Sequence, residues 1–334
     1  MTLKRELESP RSPIRRFLDE RLPHTTGVLD PWQQAVKGIK PRLPGADPDG
    51  GPTPNAVLGH AITARIGWAY APADRPDTRA GGRALVADGA PGLLVDALVD
   101  RLAGAVPQHP YDAARLAWFA GLLARAHRSG RWDDAWYRPF LTAGSIEALL
   151  QEVPDPWAAD IVAVQRRAER ALAPLAAEVA EVAEVADTVP AATGEDRDDR
   201  DRDGDEDGDT GHTAEADSGP VPKVGVTFAG SAAVDAAEAD LVLAGTVVEL
   251  KVTATTKTRL RDLHQVIALA LLDTDDAHAV SHVALAPVRF GVLVRWDLAA
   301  LVTEMAGAPV DIAQLRMELR DHLRGSADRS AGRT

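Results

Sequence analysis

Between residues 192 and 219 the chain reads ATGEDRDDRDRDGDEDGDTGHTAEADSG, with twelve acids, three arginines and no aliphatic side chain larger than alanine. A stretch with so little to bury, and with like charges repelling along it, predicts a disordered linker over 191–220 that belongs to no core. It divides the chain into a front part, 1–190, and a back part, 221–325, with a polar tail, 326–334, predicted to be disordered. It also holds −9 of the net −13 of the 334 residues, so the rest carries only −4. The folded part is close to neutral.

A calcium loop is the other use for such acids. Asp203, Asp205, Asp207 and Gly208 fit positions one, three, five and six of an EF-hand loop. The twelfth, where a bidentate Glu is needed, is Ala214, with Glu215 one place late. The run therefore reads as solvated charge. Other classes fall on composition and motif. Cysteine is absent, which excludes a disulfide scaffold and a cysteine-ligated zinc site. No apolar run approaches the ~20 residues of a membrane span, and the start, MTLKRELESPRSPIRRF, lacks the apolar centre of a secretory signal. No membrane association and a cytoplasmic location are the expectation. A phosphate loop, a dinucleotide fingerprint, GxSxG and HExxH are all missing from the sequence.

The front part reads as successive helices. A first segment, 1–54, holds a short helix opened by Ser12-Pro13, with Ile14, Phe17 and Leu18 on one face, and a Pro/Gly/Asp-rich loop from Leu43 to Pro54. A helical region, 55–190, follows. From Asn55, the residues Val57, Leu58, Ile62, Ile66 and Tyr70 form one stripe, and Leu93 to Leu102 form another. Leu116, Phe119, Leu122 and Leu123 carry a third. Trp118, Trp132, Trp136, Tyr137 and Trp157 concentrate aromatic volume here, which reads as core packing rather than a base-stacking platform. The AEVAEVAEVAD run, 177–187, repeats every three residues, so its stripe drifts and cannot hold a long coiled coil.

The back part changes period. Val224 to Phe228 reads as a strand, and Ala239 to Thr253 as two strands joined by a two-residue turn at Ala244-Gly245. On the second strand Val247, Glu249 and Lys251 share a face, since side chains alternate. If Leu243 pairs with Thr246, then Leu241 pairs with Val248 and Asp240 with Glu249. Two carboxylates and a lysine on otherwise Val/Leu strands cost desolvation energy unless something pairs with them. A divalent cation held by few carboxylates, Mg²⁺ or Mn²⁺, is such a partner. A helix, Arg259 to Leu272, and a strand pair, His282–Pro287 and Gly291–Trp296, complete the part.

The acid on one strand followed by acid-x-Lys on the next, here Asp240 and Glu249-Leu250-Lys251, resembles the signature of the PD-(D/E)XK nuclease superfamily. Asp262-Leu-His-Gln265 resembles the glutamine-bearing helix of its RecB-like branch, although Leu269 stands where that branch has Tyr. Leu58-Gly-His60-Ala-Ile-Thr-Ala-Arg65 resembles the branch's opening helix, which would make residues 71–220 an insertion within one nuclease domain. The resemblance implies a mixed α+β or α/β, restriction-endonuclease-like core over 221–325, a small mixed sheet flanked by helices, with a large helical region before it. It implies a Mg²⁺- or Mn²⁺-dependent nuclease hydrolysing phosphodiester bonds, most readily of DNA with RNA left open, in repair or antiviral defence. Asp240, Glu249 and His60 would hold the metal, Lys251 and Gln265 would join Asp240 and Glu249 in catalysis, and Lys257, Arg259 and Arg261 would contact phosphates. The alternative is a catalytically inactive nuclease-fold module that binds nucleic acid or protein; a homo-oligomer or a protein partner fits either reading.

Overall fold

The computed structural model describes residues 3–45, 55–72, 78–87, 89–129, 139–140, 142–188, 221–234 and 237–331. The acidic run, most of the Leu43–Pro54 loop, and Trp132, Trp136 and Tyr137 lie outside these residues. The front part contributes α1 (Leu3–Glu8), α2 (Pro13–Arg21), α3 (Asp30–Val36), α4 (Asn55–Tyr70), α5 (Arg79–Ala87), α6 (Gly92–Ala103), α7 (Pro110–Ser129), α8 (Ile146–Gln151) and α9 (Asp155–Thr188). The back part contributes β1 (Lys223–Thr227), β2 (Glu238–Leu243), β3 (Thr246–Leu250), α10 (Leu260–Leu271), β4 (His282–Ala286), β5 (Val294–Asp297), α11 (Leu298–Ala306) and α12 (Ile312–Ala331).

The strands form one five-stranded sheet in the order β1-β2-β3-β4-β5, antiparallel except for the parallel β3–β4 pair bridged by α10. The molecule is thus mixed α+β with a small mixed sheet among many helices. The hairpin has the expected register, Leu243 against Thr246 and Leu241 against Val248. Its turn residues Ala244 and Gly245 have φ of 45° and 63°, both left-handed, as a two-residue turn matching the twist of its strands requires. Past β3 the parallel ladder continues one residue, the Lys251 N–H donating to the Ala286 carbonyl at 2.8 Å.

Each sheet face is covered. Leu241, Leu243, Val248, Leu250, Ala284 and Ala286 share a cluster with α4, α7 and α9. The α4 stripe is buried there as its spacing predicted. At Gly121 of α7 an added Cβ would lie 2.6 Å from the Ala61 nitrogen, so only glycine lets α4 and α7 approach this closely. Trp118 and Trp157 stack at 4.6 Å, which fits packing. The repeating run near residue 180 continues α9, which passes through Pro174 without ending.

Val247, Val283 and Leu285 turn to the other face, with α10, α11 and α12. The same cluster holds Leu7, Ile14, Phe17, Leu18 and Trp32. The first segment therefore packs on the back part instead of leading into the helical region. Helices of six to nine residues cannot build a core alone, and each apolar side chain they bury stabilises by roughly 1.5–3 kcal/mol. At the far end α12 continues to Ala331, beyond the boundary at 325; Ala and Arg in its last turns sustain a helix. Among the described residues no helix is long and apolar enough to cross a membrane.

A buried ion pair ties the parts together. Arg289, after β4, meets Asp160 of α9 with Nη1–Oδ1 and Nη2–Oδ2 at 3.0 and 2.7 Å. Its Nε donates to the Val252 carbonyl at 2.7 Å and its Nη1 to the Arg42 carbonyl at 3.1 Å.

Candidate functional site

The polar cluster lies where β2 and β3 part. Their ladder ends at Leu241–Val248. Just beyond it, the Leu250 N–H donates to Asp240 Oδ2 at 2.8 Å. A side chain thus takes over a ladder bond, and the strand ends are held apart with their backbone still satisfied.

Lys251 is the centre of the cluster. Its Nζ lies 3.2 Å from Glu249 Oε1, 3.2 Å from Asp262 Oδ1 and 3.3 Å from Gln265 Oε1. Glu249 and Lys251 share the strand face that looks toward α10, as the alternation predicted, and α10 brings Gln265 and Asp262 to them. Gln265 accepts the ammonium's hydrogen bond. The three charged side chains are 12–17% exposed, so the cluster is sheltered and still reachable.

The electrostatics keep the lysine charged. Burial alone pushes the Lys251 ammonium down, and it is the largest single effect. Glu249, Asp262 and Asp240 together outweigh it and raise the pKa above the usual lysine value. Burial likewise pushes Asp262 up, but Lys251, the Arg259 N–H and Lys4 hold it below the usual carboxylate range. Among the described residues only one Glu249 oxygen is engaged, Oε1 by Lys251. The second oxygen can take a further partner.

Asp262 was not among the site residues read from sequence, though a signal for it existed. It stands third in a helix whose first residues need acceptors. Its Oδ2 accepts from the Arg259 N–H at 3.0 Å and the Thr258 hydroxyl at 3.3 Å. An acid at this position, just before an apolar run, is a helix-start pattern. With Oδ2 fixed in this way, Oδ1 is aimed at Lys251.

The predicted metal trio of Asp240, Glu249 and His60 is not assembled. The buried stripe of α4 docks on the opposite sheet face, the one bearing Leu241 and Leu243. Among the described residues no three His, Asp or Glu side chains gather where they could hold an ion. The pair Asp240 and Glu249 remains, and two carboxylates suit a cation such as Mg²⁺ that keeps several waters and takes phosphate oxygens as its other ligands.

The three basic candidates differ in their surroundings. Lys257 and Arg259 are exposed on the segment between β3 and α10. The Trp32 indole N–H secures that segment, donating to the Thr256 carbonyl at 2.9 Å. Arg261 pairs with Glu8 of α1 and so fastens α1 to α10. No protein-family model, no curated protein and no solved structure matches the chain.

Proposed function

We propose that the protein is a divalent-metal-dependent phosphodiesterase acting on nucleic acid, DNA in the first instance, with a restriction-endonuclease-like core of the PD-(D/E)XK kind. The observation that carries this reading is the Lys251 ammonium within 3.2–3.3 Å of Glu249, Asp262 and Gln265, beside Asp240 at the parting of two strands. Asp240 and Glu249 would hold Mg²⁺ or Mn²⁺, which when bound polarises a phosphate and makes a coordinated water more acidic. Lys251, kept protonated by its acids, donates to a phosphoryl oxygen or leaving oxygen as negative charge grows there. Held in place beforehand, it stabilises that charge without reorganising at the moment of reaction. Gln265 would fix the direction of the ammonium, and the exposed Lys257 and Arg259 would meet the backbone of the strand being cut.

One observation favours the non-catalytic alternative. Lys251 already has three oxygen partners, and these by themselves would give it a structural role, holding α10 on the sheet. The decisive experiment pairs calorimetric titration of Mg²⁺ and Mn²⁺ with cleavage assays on single- and double-stranded DNA and RNA. Metal binding lost in Glu249→Ala, together with cleavage lost in Lys251→Ala, is the expected result. Wild-type protein that binds neither ion and cuts none of these substrates overturns the catalytic reading.

A further inference from the structure

On the outer surface of the helical part, α5 and α6 are four residues apart in sequence and line one groove along their lengths, with Gly82 set between Val95 and Val99, the placement of an antiparallel pair. The groove between them encloses about 560 Å³. Its floor is tight: a Cβ added to Gly82 would lie 3.0 Å from Val99 Cγ2. Its walls are opposite in charge, with Arg79 and Arg83 on α5, Asp96 and Asp100 on α6. All four side chains are exposed. At the end nearest the connection stand Val86, 41% exposed, and Leu93, 89% exposed, one on each helix. A single exposed leucine needs no explanation. A leucine and a valine on facing rims, above a groove with one basic and one acidic wall, form a surface with both halves of a contact.

We propose that this face is a homodimer interface, and that its occupant is a second copy of the chain related by a two-fold axis running along the groove. An isologous contact has to be complementary to itself. Two face-to-face arrangements satisfy the symmetry. With the axis along the groove the walls exchange and heights are kept, so α5 of each copy lies over α6 of the other. The antiparallel connection sets those heights, placing Val86 level with Leu93, Arg83 with Asp96, and Arg79 with Asp100. Val86 then meets Leu93 of the second copy while each arginine meets an aspartate. With the axis across the groove, α5 lies on α5, arginine on arginine, and Leu93 is set over Asp100 of the second copy. Like charges and a leucine against a carboxylate disfavour that mode, so the charge pattern selects the first. The buried faces of α5 and α6 join the cluster on the sheet face away from α10. Dimerisation thus leaves the surface around Lys251 open, and it does not depend on what that surface does.

The test is sedimentation equilibrium of the full chain from low to high micromolar concentration, with circular dichroism to confirm that each variant is folded. Wild type is expected to show a concentration-dependent monomer–dimer equilibrium. Arg83→Glu and Leu93→Asp should each weaken it by about tenfold or more, and the exchanged pair Arg83→Glu/Asp96→Arg should recover it. A wild type that stays monomeric throughout overturns the proposal. So does a dimer that persists unchanged in both single variants.

Discussion

Two ionic clusters flank the exit of β3, and they are built in opposite ways. The Arg289 and Asp160 side chains are 2% and 0% exposed. The guanidinium spends Nε and both terminal nitrogens on four oxygens from three other segments of the chain. A planar fork with fixed donors suits that task, and a saturated, dry pair has nothing left to offer a ligand. Just past β3, one residue before the Val252 carbonyl that Arg289 holds, Lys251 is a point charge among three oxygens, in side chains left 12–17% open. A Glu249 oxygen there still lacks a partner among the described residues. Saturation marks the first cluster as a fastening between α9 and the sheet; the second keeps partial exposure and one unengaged Glu249 oxygen among the described residues, which the proposed function would use.

Removing one partner from the dry pair should give the largest effect. Asp160→Ala leaves a charged guanidinium in an apolar interior and is expected to destabilise by about 3–5 kcal/mol in urea unfolding. The double variant Asp160→Leu/Arg289→Met should lose less, and a double variant worse than Asp160→Ala would deny that an isolated charge is the main cost. The open cluster should answer in activity. Lys251→Ala is expected to lower Mg²⁺-dependent cleavage at least ~10³-fold, ~4 kcal/mol of transition-state stabilisation, with the chain still folded by circular dichroism.

A third buried group sharpens the contrast because it has no hydrogen-bond partner among the described residues. Both ring nitrogens of His264, a 1% exposed residue on α10, lack one among the described residues. Burial first, and Arg15 second, lower its pKa to about 4, against a small opposing effect of Asp19. The sign follows from the two end states. Above pH 6.5 the ring is neutral whether folded or unfolded, and its contribution is complete. As pH falls toward 4 the unfolded chain takes up a proton that the folded one refuses, so stability is lost. By pH 5 the loss should reach about 2 kcal/mol relative to pH 7, measured as the difference between wild type and His264→Leu; parallel curves for the two would rule it out. The smallest effect tests the link between fold and site. Asp262→Asn keeps an acceptor for the Arg259 N–H but loses the charge facing Lys251. It should lower kcat about tenfold, ~1.4 kcal/mol, with KM nearly unchanged; an unchanged kcat would leave Asp262 as a helix cap alone.

The parts legible in the sequence are those written in local spacing. The Ala244-Gly245 turn, the hairpin register and the apolar face of α10 all followed from alternation and turn chemistry within a few residues. From the alternation along the second strand came the meeting of Glu249 and Lys251, and α10 delivered Gln265 beside them. What escaped depends on distant partners. Asp160 and Arg289 lie 129 residues apart, and neither carries a local mark of the other. The stripe Ile14, Phe17, Leu18 announced a face to be buried without saying against what. His60 shows the converse error, because a motif-like neighbourhood cannot report which side of a sheet its helix will cover.

That long reach of the first helices has a consequence for how the chain is made. Leu7, Ile14, Phe17 and Trp32 are synthesised more than 200 residues before their partners Leu263, Ile267 and Leu319. At about 5–20 residues per second, these apolar faces wait roughly 15–60 s for the surface that covers them. The intervening helices of 55–188 can pack on one another during that interval, whereas α1 to α3 cannot. Contacts of such sequence separation are slow to form and leave sticky surface exposed meanwhile. The opening segment is therefore where a chaperone would hold the nascent chain, and where a stalled or truncated chain would first aggregate.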